Sequence, residues 1–348
     1  MKTKKVLLSL FLIVTILSTS GCGNSNYIKD ADNKVVMNEE TGQNIQKDIL
    51  CKPTNENLYK TYEQYNDQLN IKLEDLPACE EFEMNKIPYH SLWESIFVKP
   101  LAWIILKVGY LLKNFGWAVM LIGLLIRVIL FPLSIKSMRQ TENMKKANPE
   151  IQKIEKKYAN RTDSESMMAK SQEMMMIYQK YKINPVNGCL LAFLQIPLFF
   201  AFLQAINRVP AIFEGELFGM NLGMTPWKGI SNGQYLYIVL IVLIIATTYF
   251  SFKHSMNQNS NMGNNEIMKQ MDFMFKFMII MISVASFSLP TALAFYWIVT
   301  NGFIVVQNFC VKKVLAKDEP SKTSSKKEGK KEKVVNAKVI SEKKKVGK

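Results

Sequence analysis

Five stretches of this 348-residue chain, at about 115–135, 186–206, 235–252, 271–289 and 291–311, are long and apolar enough to cross a bilayer. A hydrocarbon core about 30 Å thick takes roughly 17 to 25 helical residues, and a helix is the open-chain way to satisfy every backbone polar group in lipid. The sequence therefore predicts an all-α membrane protein with five transmembrane helices.

Charge orients them. Residues 136–182 carry eleven basic residues against six acidic ones, and the tail from Lys312 carries fourteen lysines against five acids. Lys and Arg bias loops toward the cytoplasm. Residues 22–92 hold thirteen acids against seven lysines, which suits the outer face. Five spans after an outside start also end inside, so the span count and the charges agree. The formal net charge of +15 belongs to the inner face rather than to a nucleic-acid-binding domain.

At the N-terminus, Lys2, Lys4 and Lys5 precede "VLLSLFLIVTIL", and "STSGCG" follows. This is the pattern of a lipoprotein signal peptide over 1–21, whose removal would leave Cys22 lipid-modified, with palmitate, at the new N-terminus. Thr19 stands where a leucine is usual, and an uncleaved signal anchor is the alternative. Residues 22–92 form an extracellular segment with Cys51 and Cys79, which an oxidising exterior allows to pair; spacing does not say whether they meet. Next, "SLWESIFVKPLAWIILKVGYLLKNFGW" has its apolar positions broken by Glu94, Lys99, Lys107 and Lys113. With Trp93 and Trp103 it reads as an amphipathic helix over about 93–113 on the outer leaflet. A tilted first span that begins earlier fits the same residues. Amphipathic helix and first span together occupy 93–135.

Residues 136–185 are too patterned for a simple connector. Ile151, Ile154 and Tyr158 line one helical face, Met167, Met168, Ser171, Met174, Met175, Tyr178 and Tyr181 a second, and "ANRTDSES" is the turn between them. A cytoplasmic helical hairpin results. Its methionines suit contact with varied apolar segments, and equally suit packing the hairpin against itself. The remaining spans fill 186–311, and 312–348 is a basic cytoplasmic tail.

Reactive chemistry is not visible. There is no GxxxxGK[ST] run, His90 and His254 fall on opposite predicted sides of the membrane, and the five cysteines include no CxxC pair. The sequence points to no enzyme, no metal and no cofactor.

The exception to apolar monotony is Arg127, two turns inside "LIGLLIRVILFPLSIK". A central arginine costs about 2.5–3.5 kcal/mol on insertion scales, so it normally faces protein or water. No Asp or Glu deep in the spans is an obvious partner, which favours a water-filled recess over a buried ion pair. Gln195, Gln204, Thr248, Ser251, Thr300 and Asn301 could line it, with Tyr296 and Trp297 presenting aromatic faces to a sliding apolar helix.

Three segments resemble one family. "LIRVILFPLSIKSMRQTENMKKANPEIQKIEKKY", "NPVNGCLLAFLQIPLFFAFLQAI" and "FSLPTALAFYWIVTNGFIVVQNF" are similar, in order, to the arginine-bearing span with its hairpin, the second span and the final pair of the YidC/Oxa/Alb membrane protein insertases. The lipobox and the missing large outer domain are similar to the SpoIIIJ-like lipoprotein branch of Gram-positive bacteria. Leu191, Thr291 and Ala292 depart from the family pattern. The resemblance implies a five-helix core with a groove open to cytoplasm and bilayer but closed outside. It makes Arg127 the groove arginine, with Gln195 and Trp297 on or near the groove. It also implies insertion and folding of nascent membrane proteins, alone or with the Sec translocon. The basic tail and hairpin would hold ribosomes through RNA phosphates, or the tail would contact anionic membrane lipids. The rival class is a small-solute channel or transporter, against which stand the missing inverted repeat and the single deep charge.

Overall fold

The computed structural model describes residues 26–88, 91–184, 197–259 and 266–318, with side chains described except at 254–259, 266–272, 274, 275, 278 and 312–318. The signal peptide, Cys22, His90, residues 186–196 with Gln195, and the tail from 319 lie outside the described residues. By internal contacts the chain divides into two units, Met1–Val305 and Val306–Lys348.

Residues 26–88 are a folded module rather than a simple segment. Antiparallel bridges pair Tyr27 with Gln46, Lys29 with Val35 and Met37 with Asn44. Helix α1 (Glu56–Gln64) starts where the Asn55 side chain accepts the Leu58 amide, and it buries Leu58 and Tyr62. Cys51 and Cys79 are joined by a disulfide, with a parallel bridge between the adjacent Lys52 and Ala78. Ile28, Ile45, Leu50, Tyr62 and Phe82 are buried, and this core is continuous with that of the helices that follow.

A π-helical turn, Glu94–Val98, leads into α2 (Lys99–Leu112). Lys113, left-handed at φ 53°, ends α2, and Asn114 caps α3 (Phe115–Ile129) by accepting the Trp117 amide. This turn lets α2 and α3 pack closely: a Cβ on Gly109 would sit 2.2 Å from the Phe115 ring. Two of the charges assigned to the leaflet face are instead internal, because Glu94 and Lys99 are buried, while Lys107 and Lys113 are exposed. In α3 a buried stripe of Gly116, Val119, Met120, Gly123 and Arg127 runs at helical spacing, while Trp117, Leu121, Leu125 and Val128 are exposed.

The chain bends by 55° before α4 (Phe131–Lys157). Pro132 has no amide hydrogen to give to the carbonyl four residues back, which breaks the ladder there. Asp163 caps α5 (Ser164–Lys180) by accepting the Ser166 amide. α4 and α5 pack through Ala147, Ile151, Ile154, Tyr158, Ile177 and Ile183, with Met174 and Tyr178 against them. Met167, Met168, Met175 and Met176 stay exposed, so only part of the methionine seam serves the pairing. Glu173 pairs with Lys157 and Tyr158, and Glu150 with Lys180 and Tyr181. These contacts, led by the lysine ammonium in each case, hold both carboxyls below the usual range.

The remaining elements are α6 (Pro197–Asn207), α7 (Pro210–Phe213), the two-stranded β1 (Glu216–Leu217) and β2 (Met220–Asn221), α8 (Pro226–Ser231), α9 (Leu236–Asn259), α10 (Glu266–Ala285) and α11 (Thr291–Asp318). The turn from α10 to α11 is stitched to the connector before α8. Thr291 donates its amide and hydroxyl to the Met224 carbonyl, and Ala292 its amide to that of Leu222. Thr291, one of the family departures, thus anchors the start of α11.

By length and composition, Glu94–Leu112, Leu236–Lys253 and Thr291–Val311 are each long and apolar enough to cross a membrane, and α3 with α4 qualifies as a bent pair. That makes three or four among the described residues; one of them, Glu94–Leu112, is the stretch expected to be an amphipathic leaflet helix, so two or three of the five expected spans are among them. The second expected span is described only from Pro197. The fourth, expected at 271–289, is a helix that begins earlier, carries Lys269, Asp272 and Lys276, and ends at Ala285.

Candidate functional site

The site begins with a glycine. A Cβ on Gly123 would lie 2.7 Å from the Tyr296 ring and 3.2 Å from the Thr300 methyl, so these two α11 side chains pack directly on the α3 backbone. Arg127 is one turn further along the same stripe, 8% exposed. The Tyr296 side chain lies within electrostatic reach of its guanidinium. The guanidinium Nε is buried with no hydrogen-bond partner, and no carboxylate pairs with Arg127 among the described residues. Buried polar atoms nearly always find a partner in protein or water.

The other expected residues sit on the same part of α11 with different neighbours. Tyr296 is buried and stacks on Phe202 of α6, with ring centres 4.2 Å apart. Thr300 turns its hydroxyl back to its own helix, donating to the Tyr296 carbonyl at 2.7 Å. Trp297 is half-buried, meets Phe199 edge to face, and donates its indole N–H to the Thr248 hydroxyl of α9 at 3.0 Å. Asn301 reaches the same hydroxyl at 3.4 Å. Arg127, Tyr296 and Thr300 thus gather at the α3–α11 contact, whereas Trp297 belongs to a neighbouring seam with α6 and α9. Gln195 and Cys22 are outside the described residues.

A second charged cluster was missed in the sequence. Arg208, just past α6, pairs with Asp48 at 2.5 Å and with Glu94 at 3.2 Å, and Glu94 also faces Lys99 at 3.6 Å. All four side chains are nearly inaccessible, and the two positive charges balance the two negative. Lys99 also donates to the carbonyls of Ile87 and Pro88. One signal was available: an arginine directly after the predicted outer end of a span goes against the usual inward bias of basic residues. Its carboxylate partners are too far away in sequence to be read.

The profile of the 60Kd inner membrane protein family matches residues 107–319. The chain belongs to this family. Its members are not enzymes, and with several long apolar helices the chain is membrane-integral. It is similar to the membrane protein insertase YidC of Oceanobacillus iheyensis, at 34% identity over 68% of this chain and 91% of that protein. The membrane protein insertase MisCA of Bacillus subtilis is also 34% identical, over 68% of this chain and 85% of that one. A solved structure described as an active YidC insertase with its first transmembrane domain resolved matches at 24% identity and a TM-score of 0.44. That match covers 62% of this chain and 46% of the other, so this chain spans less than half the length of that one.

Proposed function

We propose that the chain is a membrane protein insertase and chaperone that uses Arg127 in a hydrated groove open to the cytoplasm. The relatives named as insertases support the activity. One observation carries the groove: the Arg127 Nε is buried without a hydrogen-bond partner among the described residues. Water fills that need and gives a cation inside an apolar helix its solvation. The polar or acidic outer flank of a nascent segment enters this wet recess, where Arg127 offers charge-assisted hydrogen bonds in place of bulk water. The flank's dry path shortens, and the apolar part moves sideways into lipid, which supplies the free energy. No nucleotide is consumed.

The rest of the chain is assigned accordingly. Residues 1–21 are a signal peptide, Cys22 carries the lipid anchor outside, and 22–92 face outward. The amphipathic stretch at about 93–113 lies along the outer leaflet, although its length and composition would also allow it to cross, and five spans between 115 and 311 form the core. The α4–α5 hairpin meets clients on the cytoplasmic side, and the lysine-rich tail holds translating ribosomes. The chain works alone or beside the Sec translocon.

The test is insertion by the purified chain in liposomes of a single-span client with an acidic outer flank, read by protease protection without nucleotide. Protected client in tight vesicles is the expected result. Solute flux without protected client would favour a channel.

A further inference from the structure

Residues 26–88 precede the stretch matched by the family, 107–319, so family membership assigns them nothing. Their seat on the helices is specific. Asp48 meets Arg208 at the end of α6, and the Leu50 amide donates to the Arg208 carbonyl at 2.8 Å. The amides of Thr54 and Asn55 donate to one Glu214 carboxylate oxygen at 2.7 and 2.8 Å. Thr41 accepts the Thr225 amide at 2.9 Å. Beside it, a Cβ on Gly42, whose φ is +71°, would come within 2.8 Å of the Thr225 hydroxyl. Lys99 of α2 holds the last carbonyls of the module through Ile87 and Pro88.

These contacts reach the N-terminal end of α2, the C-terminal end of α6 and the connector from α7 to α8. That connector, with the first turn of α8, in turn holds the α10–α11 turn through Leu222, Met224 and Trp227. The module thus ties together the elements that close one end of the bundle. An apolar patch could supply as much adhesion as the charges do, since buried ion pairs add little stability over packed hydrophobic groups. What a balanced charge quartet adds is a single seating, because any shift leaves a buried charge unpaired.

We propose that residues 26–88 are a cap that keeps this end of the bundle closed to water, with Asp48–Arg208 as its latch and the Cys51–Cys79 disulfide as its brace. The family resemblance implies a core closed on the outside, and the cap holds that closure in place. This role rests on the insertase reading for the side of the membrane on which the cap lies.

The experiment uses the full chain in proteoliposomes holding a pH-sensitive dye, in four forms: unchanged, Asp48→Asn with Glu214→Gln, Gly42→Ala, and Cys51→Ser with Cys79→Ser. Backbone hydrogen exchange is read on the same vesicles. Each variant should exchange at least tenfold faster over 206–229, leave α9 unchanged, and leak protons several-fold faster. Gly42→Ala strains its own turn and crowds the Thr225 seat without changing any charge, so it serves if the charge variant fails to fold. Unchanged exchange over 206–229 would overturn the latch, and faster exchange in vesicles that stay tight would overturn the seal. Leaky variants of a chain that inserts no client would keep the cap and discard the insertase reading; tight variants of an active insertase would do the reverse.

Discussion

Arg127 is legible in sequence because a permanent cation two turns inside an apolar run has no cheap explanation. Its surroundings were less so: Gly123 reads as one more small residue until Tyr296 and Thr300 are found against it. Replacing Arg127 with alanine should reduce insertion of clients with charged outer flanks by roughly tenfold, the scale of one lost charge-assisted hydrogen bond, while neutral flanks change little. Protease protection of matched client pairs checks this. Gly123→Ala should destabilise the chain by about 1–3 kcal/mol, since the α3–α11 contact has no room for a methyl group. Trp297→Phe removes the bond to the buried Thr248 and should cost about 1 kcal/mol. Thermal unfolding in detergent measures both, and an unshifted midpoint would contradict the assigned contact.

Among elements, the packed faces of α4 and α5 were the easiest to read. The spacing of Ile151, Ile154 and Tyr158 marks one packed face, and Asp163 stands at the start of α5. The methionines could not be divided in advance, because Met174 and Met175 have the same chemistry and only the helix phase turns one inward. The bend at Pro132 splits what hydropathy alone reads as one straight span. Two ion pairs cross the hairpin, and their pH response has a definite sign. The folded carboxyls of Glu150 and Glu173 lie below the ordinary value of about 4.3. Their support is complete above the ordinary value and is lost as pH falls through the lowered folded value. Spin labels at the exposed positions 153 and 171 of the full chain should give a narrow distance distribution at pH 7 that broadens below about pH 4. The same width at both would show that the apolar seam alone holds the hairpin.

At the scale of the whole molecule, the apolar runs carried the reading of a helical membrane protein, while the module at 26–88 stayed hidden. Its core is assembled from isolated residues such as Ile28, Leu50, Tyr62 and Phe82, which show no long period, and its ties to the helices span about 160 positions. Whether Cys51 and Cys79 meet is a question of three-dimensional distance, and their Cα atoms are 4.8 Å apart. Replacing both with serine should destabilise the module by about 3–4 kcal/mol on the chain-entropy estimate, seen as cleavage within 26–88 at protease levels the unchanged chain resists. Undiminished resistance would mean that the seat on the helices, rather than the brace, holds the module together.

The most direct measurement is the water accessibility of position 127. Arg127→Cys is placed in a chain that keeps the Cys51–Cys79 disulfide but carries Cys189→Ser and Cys310→Ser. A membrane-impermeant thiol reagent is then added from each side in turn. Labelling from the cytoplasmic side alone is predicted by a one-sided hydrated groove. Labelling from neither side, or from the outer side, would contradict it.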